Sequence, residues 1–278
     1  MKIAKNVKEL SSLKGDIRPL GFVPTMGALH NGHLSLVNEA ILRTPLTVIS
    51  IFVNPTQFND KDDLKNYPRD LQKDLKNLDQ NLREDDIVYI PKEKEIYPEP
   101  DNRIFDFGHL DKIMEGKNRP GHFNGVGQVV SKLFGIVKPD LAFFGEKDLQ
   151  QLAIIKKLVE MLNIPVTVIG MPIVRESDGL AMSSRNQLLG ENERKAASEI
   201  YKSLLKAANF HKKEEIEKIK EKTIRQINKN PYLTVEYFEI VDETNLLPVR
   251  NWDEVTGIYG CIAVRAEKIR LIDNIKFL

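Results

Sequence analysis

The chain has 278 residues, 41% of them apolar and 29% charged, with 41 Lys and Arg against 40 Asp and Glu for a net charge of +1. That length suits two domains, the composition excludes disorder as the main state and a bilayer-spanning helix, and the balanced charge gives no general attraction to nucleic acid or membrane. The single cysteine, Cys261, excludes an internal disulfide, and residues 1–6 lead into no apolar secretory segment, so a cytoplasmic setting is expected.

The first candidate strand covers residues 20–23 and breaks at Pro24. A turn of small residues follows, then an amphipathic helix over 34–43. Gly27 and Gly32 let a ligand approach the backbone, and a helix N-terminus offers unpaired N–H groups and partial positive charge to phosphate. His30 and His33 lie near one face of that helix, within reach of one phosphate chain. Further strands are read at 46–53, 87–90, 141–144 and 166–169, and further helices at 70–77, 125–137 and 149–162. Buried apolar strands alternating with helices predict an α/β fold, a Rossmann-like parallel sheet with helices on both faces. Ligands of such sheets bind at the carboxyl ends of the strands, where residues 24–33, 54–58 and 145–148 all fall. The acidic runs 60–63 and 83–86 read as solvated turns.

Beyond about residue 176 the character changes. Charged helices over 191–210 and 214–228 precede short strands at 235–241, 257–264 and 269–272, which predicts a smaller C-terminal α+β domain. The expected partition is 1–176 and 177–278. The loop around Met182 then sits just past the junction, where it can close over substrate.

Two segments carry the chemistry. Gly27-Ala28-Leu29-His30-Asn31-Gly32-His33 resembles the His-x-Gly-His signature of nucleotidyltransferases that cleave ATP between its α and β phosphates. Met182-Ser183-Ser184-Arg185 resembles the second signature of that superfamily, whose hydroxyls and fixed cation suit the β and γ phosphates. Residues 23–33, Phe52-Val53-Asn54-Pro55-Thr56-Gln57-Phe58, Tyr67-Pro68-Arg69-Asp70, residues 119–126 and Phe144-Gly145-Glu146-Lys147-Asp148-Leu149-Gln150-Gln151 extend the likeness. Together they resemble the pantothenate synthetase (pantoate–β-alanine ligase) family, from the first motif to Asn186 and more thinly in the last third.

That resemblance implies ATP-dependent joining of pantoate to β-alanine through a pantoyl-adenylate, with Mg2+, in a cytoplasmic homodimer acting on small molecules. It implies catalytic roles for His33, as general acid, His30 and Lys147. It implies ATP contacts from Met26, Gly27, His30, His33, Gly145, Glu146, Lys147 and Asp148, and from Val174, Met182, Ser183, Ser184 and Arg185. Gln57 and Gln151 are the amides it assigns to pantoate and β-alanine; no metal ligand is singled out. The chemistry agrees. A carboxylate must first exchange its oxide for a better leaving group, and donors aimed at the departing pyrophosphate act most strongly in the transition state. Met26 and Phe58 suit the apolar side of a pantoate pocket, and Asp148 with Gly145 suits ribose hydroxyls.

Plainer readings stand beside these. Ser183 and Ser184 also suit a helix cap. His122 divides between a structural and a functional role, and Tyr67, Arg69 and Arg119 are read only as near the site. His109 and His211 have no motif context. A P-loop kinase, a dinucleotide fingerprint and a zinc site all lack needed residues. Two rivals remain: another adenylyl-transferring enzyme, and a non-catalytic adenine-nucleotide sensor.

Overall fold

In a computed structural model that describes residues 1–277, six short strands form one parallel sheet. They are β1 (Lys2–Ala4), β2 (Leu20–Thr25), β3 (Leu46–Ile51), β4 (Ile87–Tyr89), β5 (Leu141–Gly145) and β6 (Thr167–Met171), side by side in the order β1-β4-β3-β2-β5-β6. The helices between them are α1 (Val7–Lys14), α2 (Asn31–Arg43), α3 (Lys61–Asn66), α4 (Leu71–Asp79), α5 (Glu93–Ile96), α6 (Met114–Asn118), α7 (His122–Val137) and α8 (Leu149–Met161).

Phe22 and Val23 show why this sheet needs two covers. Both are fully buried, and successive strand residues leave opposite faces. Phe22 meets Phe134 of α7 edge-on at 6.2 Å, whereas Val23 joins Leu36, Val37 and Ala40 of α2 and Leu78 of α4. Phe143 and Phe144 of β5 divide in the same way. The order of strands reverses direction between β2 and β5, where the crevice outside the carboxyl ends of a doubly wound sheet opens. The segments that follow these two strands are residues 26–30 and Glu146–Asp148.

The remaining chain holds α9 (Glu191–Asn209), α10 (Ile216–Ile227) and three antiparallel strands, β7 (Leu233–Asp242), β8 (Ile258–Ala266) and β9 (Ile269–Lys276), in the order β7-β8-β9. Ile200, Leu204 and Ile219 of the helices pack on Phe238, Ile262 and Val264 of the strands in a second core. The chain accordingly divides into two units, residues 1–146 with 151–172 and residues 147–150 with 173–278.

The sequence reading missed β1 and α1. A three-residue strand is too short to show alternation, and α1 fully buries one residue, Leu10. Both acidic runs, read as solvated turns, are largely exposed, but each also does structural work. Asp60 caps α3 by accepting the Asp62 N–H. Asp86 is fully buried, accepts the Thr47 N–H at 2.9 Å and pairs with Arg83 at 2.8 Å. Charged residues can enter a core when each oxygen finds a donor, and local composition does not reveal the donors.

Candidate active site

The turn after β2 is held from below. Gly27 and Ala28 adopt φ +81° and +50°. A left-handed alanine costs about 1–2 kcal/mol. Asp74 of α4, 2% exposed, offsets that cost with two charge-assisted bonds: Oδ2 accepts the Ala28 N–H at 2.9 Å and Oδ1 the Leu29 N–H at 2.7 Å. Burial pushes the Asp74 carboxyl above the usual carboxylate range, against the pull of those two amides. Thr25 ties the turn to β3 through its hydroxyl, which donates to the Ser50 carbonyl at 2.7 Å and accepts the Gly27 N–H at 3.2 Å.

His30 is the N-cap of α2, and the two histidines form a reciprocal capping box. His30 Nδ1 accepts the Gly32 N–H at 3.1 Å and His33 Nδ1 accepts the His30 N–H at 3.4 Å, with ring centroids 4.1 Å apart. An accepting nitrogen carries no proton, so each neutral ring holds its proton on Nε2. Several of the helix N–H groups expected to be unpaired already have partners. The Gly32 amide goes to His30, the His33 and Leu34 amides to the His30 carbonyl at 2.8 and 3.1 Å, and the Ala28 and Leu29 amides to Asp74. The imidazole edges, rather than those amides, are the donors of this turn.

Gln57 lies in a short 3-10 turn, Pro55–Gln57, after β3 and is 9% exposed. Its amide lies 3.0 Å from the Met26 sulfur, so two sequence-predicted site residues do meet. Asn54, 1% exposed, fixes the Gln57 carbonyl oxygen by donating to Oε1 at 3.2 Å; it also donates to the Gly125 carbonyl and accepts the Tyr97 hydroxyl at 2.8 Å. His122 donates Nδ1–H to the Gln57 backbone carbonyl at 2.7 Å while Nε2 accepts from Arg119 at 3.1 Å. Those two bonds give His122 and Arg119 a structural task, supporting Gln57. Phe58 packs edge-on against Tyr67 at 5.7 Å. Gln151 is half-buried in the first turn of α8, and Gly145 ends β5. The Glu146 side chain lies across Gly170 of β6, in contact with the space a Cβ there would fill.

The remaining predicted residues belong to the second unit. The Lys147 ammonium lies 3.7 Å from Asp148, and the Lys147 carbonyl accepts from Asn274 of β9 at 3.1 Å. Met182 N–H donates to the Val174 carbonyl at 3.0 Å, and an isolated bridge joins Arg175 to Ala181, so the loop folds back on itself. Ser183 caps the 3-10 turn Ser184–Leu188 by accepting the Arg185 N–H at 3.3 Å. Ser184 is buried and Arg185 half-buried in that turn. Arg175 anchors the loop: its guanidinium pairs with Asp273 at 2.7 and 3.0 Å and stacks 3.7 Å from the Tyr201 ring.

Sequence reasoning gave no role to Asp74, Asn54, Arg175, Asp273 or Asn274. A signal existed for Asp74. Leu71, Asp74, Leu75 and Leu78 share one stripe of α4, and a carboxylate on an apolar stripe demands a buried donor.

The family model described as pantoate-beta-alanine ligase matches residues 2–276. A pantothenate synthetase from Azobacteroides pseudotrichonymphae is 50% identical over 281 residues, covering 100% of both chains. One from Porphyromonas gingivalis is 47% identical, covering 100% of this chain and 99% of the relative. Among solved structures, pantothenate synthetase from Thermus thermophilus superposes with a TM-score of 0.93 at 40% identity, covering 100% and 99% of the two chains. Pantoate-beta-alanine ligase from Francisella tularensis, complexed with beta-gamma ATP and beta-alanine, gives 0.83 at 37% identity over 100% and 98%.

Proposed function

The chain belongs to the pantoate-beta-alanine ligase family and is an ATP-dependent ligase that makes pantothenate from pantoate and β-alanine; we propose that it does so through a pantoyl-adenylate formed beside His30 and His33. The observation that carries this reading is the imidazole pair, with each Nδ1 engaged by backbone and the proton on Nε2. The pantoate carboxylate attacks the α phosphorus, forming an acyl–phosphate bond as the bond to the bridging β-phosphate oxygen breaks. Charge accumulates on that oxygen, and His33, as general acid, with His30 stabilises it there. Lys147, Ser183, Ser184 and Arg185 serve the phosphates, and Met26, Gly27, Gly145, Glu146, Asp148, Val174 and Met182 line the nucleotide.

Gln57 and Gln151 hold pantoate, and then β-alanine, through their amides. Support for Gln57 is its rigid mounting by Asn54 and His122. The amine nitrogen of β-alanine then attacks the acyl carbon, AMP departs, and the nitrogen loses its proton. Mg2+ enters as the metal–ATP substrate and supplies charge neutralisation on the phosphates. The same proposal includes a partition at residues 1–176 and 177–278 with closure of the C-terminal domain over substrate, a homodimer, and a cytoplasmic location.

The test uses ordered chemistry. Given Mg2+ and pantoate without β-alanine, the protein exchanges labelled pyrophosphate into ATP, and pantoate labelled in its carboxylate oxygens passes one label to AMP once β-alanine is added. Absence of both would eliminate the adenylate. His33→Ala lowers single-turnover adenylation by roughly two to three orders of magnitude, about 2.7–4 kcal/mol. A rate within about threefold of wild type would remove His33 from the chemistry.

A further inference from the structure

We propose that Asp74 is a positioning residue for adenylation, whose carboxylate aims the His30 and His33 rings by clasping the two amides that precede them. The inference rests on the role assigned above to the two histidines.

The clasp joins segments 45 and 46 positions apart in the chain, with both carboxylate oxygens used, one per amide. Those amides belong to the two successive peptides on either side of Ala28 Cα, so their directions fix both peptide planes. Leu29 leads straight into His30, whose backbone N–H meets His33 Nδ1. Rotation at the clasp therefore reaches the His30 N–H, and through its hydrogen bond His33 Nδ1, across the two rotatable backbone bonds of Leu29; the His30 ring follows after one more, its own φ. The turn itself is packed against its support. A Cβ added to Gly27 would lie 2.9 Å from Asp74 Oδ2 and 3.2 Å from Ile51. The carboxylate also directs the Ala28 and Leu29 amides inward, which leaves ring nitrogens to meet the phosphate. A misplacement of about 1 Å at a reacting group costs roughly 100-fold in rate, so a residue that touches no substrate can still govern the chemical step.

Asp74→Asn is nearly isosteric and keeps the packing. Its one carbonyl oxygen accepts one amide, while its NH2 faces the other, donor against donor. The expected result is a folded protein whose adenylation rate in single turnover falls roughly 10- to 100-fold, with the half-saturating ATP concentration changed less than about threefold. Long-range 1H–15N spectra of the five histidines report the cause. In wild type, His30 and His33 show the Nε2–H tautomer. In the variant these two alone shift, and His109, His122 and His211 keep their signals.

Each of the following would overturn the inference: adenylation within about threefold of wild type, unchanged His30 and His33 signals, or equal disturbance of all five histidines, which marks general loosening. His33→Ala is measured alongside. If it too is active, the reading of the histidines fails; if it is inactive while Asp74→Asn is active, only the positioning role fails. Hydrogen exchange in the wild-type protein tests the clasp even if the variant does not fold. The Ala28 and Leu29 amides exchange at least about 100-fold more slowly than in an unstructured peptide, and fast exchange at both would refute the clasp.

Discussion

Gly125 offers a way to move Gln57 without touching it. It lies on α7 against the turn that carries Gln57, and a Cβ there would sit 2.3 Å from the Thr56 carbonyl oxygen and 2.7 Å from Gln57 Cα. Ordinary contact begins near 3.4 Å, and the obstacles are backbone, so Gly125→Ala displaces Thr56 and Gln57 by about 1 Å. Overpacking of this kind costs about 1–3 kcal/mol. Alanine recovers about 1 kcal/mol of helix propensity over glycine, so the net stability loss is about 0–2 kcal/mol. The displacement falls on the pantoate amide and on its brace, since Asn54 donates to both the Gly125 carbonyl and Gln57. Pantoate binding should weaken roughly 10- to 100-fold, as expected for about 1.4–2.8 kcal/mol. ATP binding should stay within about threefold, since the histidine turn hangs on Asp74 rather than on α7. Isothermal titration with each ligand, beside Gln57→Ala as the benchmark, measures both. Pantoate affinity within about threefold of wild type in folded Gly125→Ala would refute the reasoning. Equal losses for ATP and pantoate would do the same.

Two further predictions concern stability. The Arg103 guanidinium beside Asp101 holds its carboxyl down to about 2, and the carboxylate is 4% exposed. A depressed carboxyl contributes stability above the unfolded value of about 3.9 and loses it as pH falls through the folded one, so up to about 2 kcal/mol should vanish between pH ~4 and ~2; urea melts of Asp101→Asn should lack that share of the acid limb, and identical limbs would refute it. Asp273 is 3% exposed and holds Arg175 with two bonds, so Asp273→Ala should destabilise the unit spanning 173–278 by about 3–5 kcal/mol. A loss below about 1 kcal/mol in equilibrium denaturation would show the pair to be dispensable.

The amino-acid sequence alone determined the parallel sheet except for its edge strand β1, since the apolar runs at 20–23, 46–53, 87–90, 141–144 and 166–169 alternate with amphipathic helices, and period and burial are local properties. It also determined the family, because the histidine turn, the 52–58 segment and the Ser-Ser-Arg loop each lie within about a dozen consecutive residues. Tertiary structure alone decided what supports them. The stripe of α4 shows that Asp74 needs a buried donor, but only the fold brings two amides to it across 45 and 46 positions. His122 could be read either way until its ring met the Gln57 carbonyl 65 residues away. Gly125 weakens a helix when read locally, and its purpose is the close approach of another backbone. Periodicity tells which face of an element is buried. It carries no information about which distant donor, acceptor or backbone that face will meet, and the orientation of the site depends on those partners.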